Sequence, residues 1–68
     1  MENKLKHYRD EGNITQEQLA NLVGVSRQSI ISIEKSQYVP TTILALKLAQ
    51  VLKLSVEELF ILEKGDWK

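Results

Sequence analysis

The chain has 68 residues with nine basic and nine acidic side chains, three glycines, one proline and no cysteine, which leaves room for one core and excludes disulfide or Cys/His zinc reinforcement. Apolar types make up 43% and charged types 26%, a globular balance far from the composition of disorder. No apolar run reaches the roughly 18 residues of a membrane span, and the opening Met1-Glu2-Asn3-Lys4 lacks the basic-then-apolar pattern of a signal peptide. A cytoplasmic protein with no membrane partner is expected. So short a chain commonly needs a second copy to complete its core, so size alone suggests a homodimer. A formal net charge of zero argues at first against nucleic acid, which usually leaves a basic footprint.

No stretch alternates like a strand, and short helical segments follow one another, so the reading is all-α in a single domain over residues 1–68. The first segment, Asn3 to Glu11, sets Leu5 and Tyr8 on one face and closes at Gly12-Asn13, two residues that tolerate a left-handed helix end. The second opens at Thr15, with Gln18 completing a capping box, and buries Leu19, Leu22 and Val23. Gly24 stops it, and Ser26 is the N-cap of a third segment running to Lys35.

Ser36 to Pro40 forms a loop, and Thr41 caps a fourth segment through Leu52. This segment is apolar on most of its circumference, which predicts burial on two sides. Ser55 and Glu58 make a second capping box for a short fifth helix, Val56 to Phe60, followed by a tail over residues 61–68 with a turn signal at Gly65-Asp66.

The informative stretch is Gln16 to Lys35, QEQLANLVGVSRQSIISIEK. Two helices crossing steeply through a short turn need a small residue where they meet, a flexible residue in the turn and apolar residues around both. Ala20, Gly24, and Leu19, Val23, Val25, Ile30 and Ile33 fill those places. On these landmarks, together with Leu5-Lys6-His7-Tyr8-Arg9, Ile33-Glu34-Lys35, Pro40-Thr41 and Leu54 to Phe60, the chain resembles the Cro/cI-type (XRE) helix-turn-helix family over residues 3–60. The resemblance implies a compact five-helix, lambda-repressor-like domain, a third helix in the DNA major groove, and symmetric dimers on palindromic operators. Three positions depart from the family's habit: Ser36 where glycine or asparagine is common, Val39 where a polar residue is common, and Thr42 where an apolar one is.

In that geometry the N-terminal residues of the third helix meet base edges. Ile30 and Ile33 face inward, leaving Arg27, Gln28, Ile31 and Ser32 outward. Arg27 suits guanine and Gln28 adenine, although Arg27 could instead touch phosphate and Gln28 could cover the helix end. Ile31 could meet a thymine methyl or shield the core's edge, and Ser32 either contacts a base or leaves room for the groove. Phosphate contacts are expected from Gln16, which resembles the family's backbone-clamping glutamine, and from Ser26, Ser29, Lys35, Gln37 and Tyr38, with core packing the alternative for Tyr38. The family also pairs an arginine and a glutamate at the places of Arg9 and Glu34, which implies a bidentate bridge between the first and third helices.

Charge is uneven along the chain. Residues 1–9 hold Lys4, Lys6 and Arg9 against Glu2, and residues 26–38 hold Arg27 and Lys35 against Glu34, whereas acidic excess collects at Asp10, Glu11 and Glu17 and at Glu57, Glu58, Glu63 and Asp66, balanced in the last dozen residues only by Lys64 and Lys68. Zero net charge then describes a modestly basic face and an acidic opposite end. Two-fold pairing is expected through Leu54, Phe60, Ile61, Leu62 and Trp67 and the outward side of the fourth helix, since this cluster would otherwise be an exposed apolar patch. Phe60 and Ile61 could instead close the chain's own core. The resemblance also allows a small β-ribbon from the tail, with Gly65-Asp66 as its turn.

No metal or cofactor is expected: His7 lacks a Cys, a second His or a spaced carboxylate. Nor is there a set of nucleophile, base and oxyanion donor for an enzyme. The expected function is a sequence-specific transcriptional regulator, a repressor by default, with double-stranded DNA as partner and a protein co-regulator as a further one. The alternative is a protein-interaction module, such as an antitoxin or coactivator subunit, on the same fold.

Overall fold

Hydroxyl caps mark the start of every helix but the first. A computed structural model describes residues 1–68 and resolves them into β1 (Glu2–Asn3), α1 (Leu5–Glu11), α2 (Gln16–Val23), α3 (Arg27–Glu34), α4 (Thr42–Leu52), α5 (Val56–Leu59), β2 (Phe60–Ile61) and a 3-10 turn at Lys64–Trp67. Thr15 Oγ1 accepts from the amide of Gln18 at 3.0 Å while Gln18 Oε1 accepts from the amide of Thr15 at 2.9 Å. Ser55 and Glu58 repeat the arrangement at α5, and Ser26 and Thr41 cap α3 and α4 singly. Each cap satisfies donors that a helix start leaves free.

Gly24 ends α2 in the left-handed region at φ 78°, and its amide and that of Val25 both donate to the carbonyl of Ala20. That tight reversal turns the chain from α2 into α3, which packs against it. Ala20, 1% exposed, is small enough to let the two backbones approach. The core of Leu5, Leu19, Val23, Ile30, Ile33, Leu44, Leu48, Leu59 and Phe60 draws on all five helices and β2.

Several boundaries differ from the sequence reading. Asn3 lies in β1, and α1 starts at Leu5; Lys35 is the C-cap of α3, and Phe60 follows α5 in extended backbone. A small two-stranded sheet is present, as the possible ribbon foresaw, but its strands are the two chain ends: Glu2 pairs with Ile61 and Asn3 with Phe60, antiparallel. Gly65-Asp66 therefore does not turn the ribbon; it sits in the 3-10 turn, where Asp66 Oδ2 accepts from the amide of Glu63 at 2.8 Å. Helix α4 buries one side, Leu44, Ala45, Leu48 and Ala49, and leaves Ile43 and Leu46 exposed. Leu22, expected in the stripe of α2, is exposed as well. No helix is long and apolar enough to cross a membrane.

Ser36 adopts φ 59°, a left-handed conformation that costs a residue with a Cβ of order 1 kcal/mol. Asn3 braces this corner: its Nδ2 donates to the carbonyl of Ile33 at 2.8 Å and to Ser36 Oγ at 3.3 Å, while its Oδ1 accepts from the amide of Leu5. One side chain thus joins the sheet, the start of α1 and the end of α3.

Candidate nucleic-acid interface

The N-terminal ends of α2 and α3 come together on one surface. Gln16 is the first residue of α2 and Arg27 the first of α3. With Arg9, Thr15 and Glu17 they line a shallow cleft that contains no hydrophobic side chain. Beside it, Arg27 and Gln28 are exposed while Ile31 and Ser32 are half-buried. Gln28 Nε2 lies 3.5 Å from Ser32 Oγ, one helical turn on.

Beneath the cleft runs a polar chain. Arg9 Nε donates to Glu34 Oε2 at 2.7 Å, Arg9 Nη2 to Glu34 Oε1 at 3.4 Å, and Arg9 Nη1 to the carbonyl of Ile14 at 2.8 Å. The two side chains are only 10% and 6% exposed. The hydrogen bonds to Glu34, foremost, hold the Arg9 pKa above its ordinary value despite burial. Gln16 Nε2 donates to Glu34 Oε1 at 3.0 Å, and Gln16 Oε1 accepts from Arg27 Nη2 at 3.5 Å. Four residues from three helices form one continuous path from the interior to the surface.

The expected phosphate contacts fare unequally. Gln16 spends one amide hydrogen on Glu34 and keeps another. Ser26 Oγ is occupied by its cap on the amide of Ser29 at 3.1 Å and lies 3.0 Å from Ser29 Oγ, so these two hydroxyls serve the helix start first. Lys35, Gln37 and Tyr38 are exposed around the corner after α3, and the amide of Gln37 donates to the carbonyl of Ser32 at 2.9 Å. Tyr38 is therefore free of the core rather than packed in it.

Three features escaped the sequence reading. Glu17, assigned to the acidic side, lines the same cleft as Arg27, because the first turn of α2 faces the start of α3. Asn3 braces the far end of α3, a role that depends on the pairing of β1 with β2 and has no local signal. His7 does have a spaced carboxylate, Glu11, one turn on, with Nε2 3.0 Å from Oε2. At the carboxyl end, Phe60 is only 9% exposed and belongs to the core. It thereby closes the chain's own core, the second of the two places expected for it. Leu54 and Ile61 are half-buried, and Leu62 and Trp67 are exposed.

A helix-turn-helix family model matches residues 5–59. An uncharacterized HTH-type transcriptional regulator of Methanocaldococcus jannaschii is 52% identical over 66 residues, covering 97% of this chain and all of that one. The HTH-type transcriptional regulator YgzD of Bacillus subtilis is 42% identical, again over 97% of this chain and all of the relative. Among solved structures, the restriction-modification controller protein C.AhdI from Aeromonas hydrophila superposes with a TM-score of 0.78 at 33% identity, over 84% of this chain and 86% of that one. The P22 c2 repressor, in complex with a synthetic operator, superposes with a TM-score of 0.77 at 30% identity, over 79% and 82%.

Proposed function

The chain belongs to the helix-turn-helix family of transcriptional regulators, a DNA-binding and non-enzymatic class, and from that premise we propose that it acts in the cytoplasm as a repressor that binds a palindromic operator as a homodimer. Helix α3 enters the major groove, where Arg27 and Gln28 read base edges. Ile31 lies against a thymine methyl, and Ser32 leaves the groove wall room. Gln16, with Lys35, Gln37 and Tyr38, positions the backbone. Ser26, which caps the amide end of α3, and Ser29, whose hydroxyl lies against Ser26 Oγ, add phosphate contacts there. The P22 c2 repressor, similar over most of this chain, binds operator DNA through the same fold.

One observation carries this reading: the exposed Arg27 and Gln28 stand beside Gln16, at the adjoining N-terminal ends of two helices. A single helix reads only a few base pairs, so a second copy supplies the second half-site about one turn away, roughly 34–36 Å. The exposed Ile43, Leu46, Leu62 and Trp67 offer the apolar surface for it, with half-buried Leu54 and Ile61 at its edge.

Selection of bound sequences from random duplex DNA tests the proposal. A palindrome is expected, and Arg27→Ala or Gln28→Ala, each removing one base-reading side chain, should cost about 1–3 kcal/mol of discrimination. A folded chain that enriches no sequence favours instead a protein-interaction module, to which the exposed Trp67 end is suited.

A further inference from the structure

Gln16 is bound on both sides of its amide. The group is planar, with one acceptor oxygen and one nitrogen carrying two donors. Its nitrogen faces the Glu34 carboxylate and its oxygen faces the Arg27 guanidinium. Turned over, the amide would set oxygen against carboxylate oxygen, and an NH2 against a guanidinium that can only donate. Both neighbours therefore select the same orientation. Glu34 is itself held in place: its side chain is 6% exposed and bound by two nitrogens of Arg9. No buried polar side-chain atom lacks a partner, so the path contains no slack end in the interior.

We propose that Glu34 is a positioning residue for base readout: through Gln16 it aims the guanidinium of Arg27, and so sets specificity at the base pair Arg27 meets, without touching DNA. The outer contact, at 3.5 Å, is longer than a strong N–H···O hydrogen bond. It biases Arg27 without locking it and leaves the guanidinium's other donors free. A long side chain already restricted in the free protein loses less entropy on binding. This role rests on the operator reading, but the path itself belongs to the free chain, so the two can fail separately.

Glu34→Gln keeps the shape and removes the charge. A single carbonyl then faces the two Arg9 donors and the Gln16 donor, and the introduced NH2 invites Gln16 to turn over and present its own donors to Arg27. By nuclear magnetic resonance of the free protein, the wild type is expected to show a restrained Gln16 amide and an ordered Arg27 guanidinium, and Glu34→Gln to release both. Unchanged order in the variant overturns the proposal, whatever happens on DNA.

On the selected operator, Glu34→Gln is expected to reduce discrimination about tenfold at the base pair whose preference Arg27→Ala abolishes, and to add nothing in an Arg27→Ala background. A uniform loss across all positions, or one that persists without Arg27, overturns the positioning role. Should Glu34→Gln fail to fold, Gln16→Met leaves the Arg9–Glu34 pair intact and cuts the path at its middle; an Arg27 that stays ordered in that variant overturns the proposal as well. A wild type that enriches no sequence removes the operator reading and the specificity role with it. Order in Gln16 and Arg27 would then survive as a property of the fold alone.

Discussion

The two ends of the molecule solve opposite problems. Where α2 meets α3, polar groups are matched to one another: Arg9, Glu34, Gln16 and Arg27 form a connected path, and its buried members have all their partners. Along α4 and the tail the excess is apolar: Ile43, Leu46, Leu62 and Trp67 lie exposed, Trp67 at 77%. On the operator reading proposed above, the first surface meets a partner that accepts hydrogen bonds and the second gains by being covered. Neither property follows from composition, since the charges sum to zero.

Removing one member of the buried pair is the strongest way to break the polar end. Arg9→Ala strands the Glu34 carboxylate with only Gln16 for a donor, and is expected to cost about 3 kcal/mol of unfolding free energy, measured by urea denaturation. A loss below about 1 kcal/mol would class the pair with ordinary surface bridges and remove the rigid base from under Gln16.

The apolar end should behave in the opposite way. Ile43→Ser combined with Leu46→Ser alters exposed positions, so monomer stability should change by only about 0.5 kcal/mol at each, while self-association weakens at least about tenfold, or roughly 1.4 kcal/mol. Sedimentation equilibrium at micromolar concentration measures it. A wild type that is monomeric there, or a variant that dimerises as well as the wild type, removes α4 from the interface.

The smallest effect sharpens the contrast at the chain ends. The Met1 ammonium lies 3.0 Å from Glu63 Oε1 and 3.3 Å from Asp66 Oδ1. Hydrogen bonds to Glu63, then Asp66, raise the pKa of this amine; the backbone hydrogen bond from Glu63, then the ammonium, lowers that of Asp66. The raised amine contributes fully below its ordinary value near about 8, and its contribution is lost as pH rises through the higher folded value. The lowered carboxyl contributes fully above its ordinary value near about 3.9, and its contribution is lost as pH falls through the lower folded value. Trp67 fluorescence should therefore report a docked tail from about pH 5 to about pH 7 and loosening on either side, with the global fold unaffected. A profile that stays flat well below about pH 4 and well above about pH 8 would show that these ion pairs do not hold the tail.

Legibility followed distance along the chain. The second to fifth helices announced themselves because Thr15 and Gln18, Ser26, Thr41, and Ser55 and Glu58 satisfy free helix amides within three residues, and the turn at Gly24 needed only a residue at ease with positive φ. The start of the first helix was misplaced because Asn3 looks helical beside Lys4 and Leu5, yet its backbone is claimed by Phe60. On α3, the outward placing of Arg27 and Gln28 could be read from the helical period, and their role came only from the resemblance. The bond from Gln16 to Glu34 spans 18 positions, and nothing local signals it.

By itself, the amino-acid sequence determined that five helices form, all but the first with a hydroxyl cap, and that two of them meet at a glycine turn, because these outcomes rest on hydrogen bonds and side-chain periods a few residues long; the family was legible only as a resemblance. Tertiary structure alone decided the sheet between the chain ends, the burial of Phe60, the exposure of Ile43 and Leu46, and the link from Glu34 through Gln16 to Arg27. A two-residue strand has no period to detect, and a side chain's partner across three helices exists only once the helices have packed.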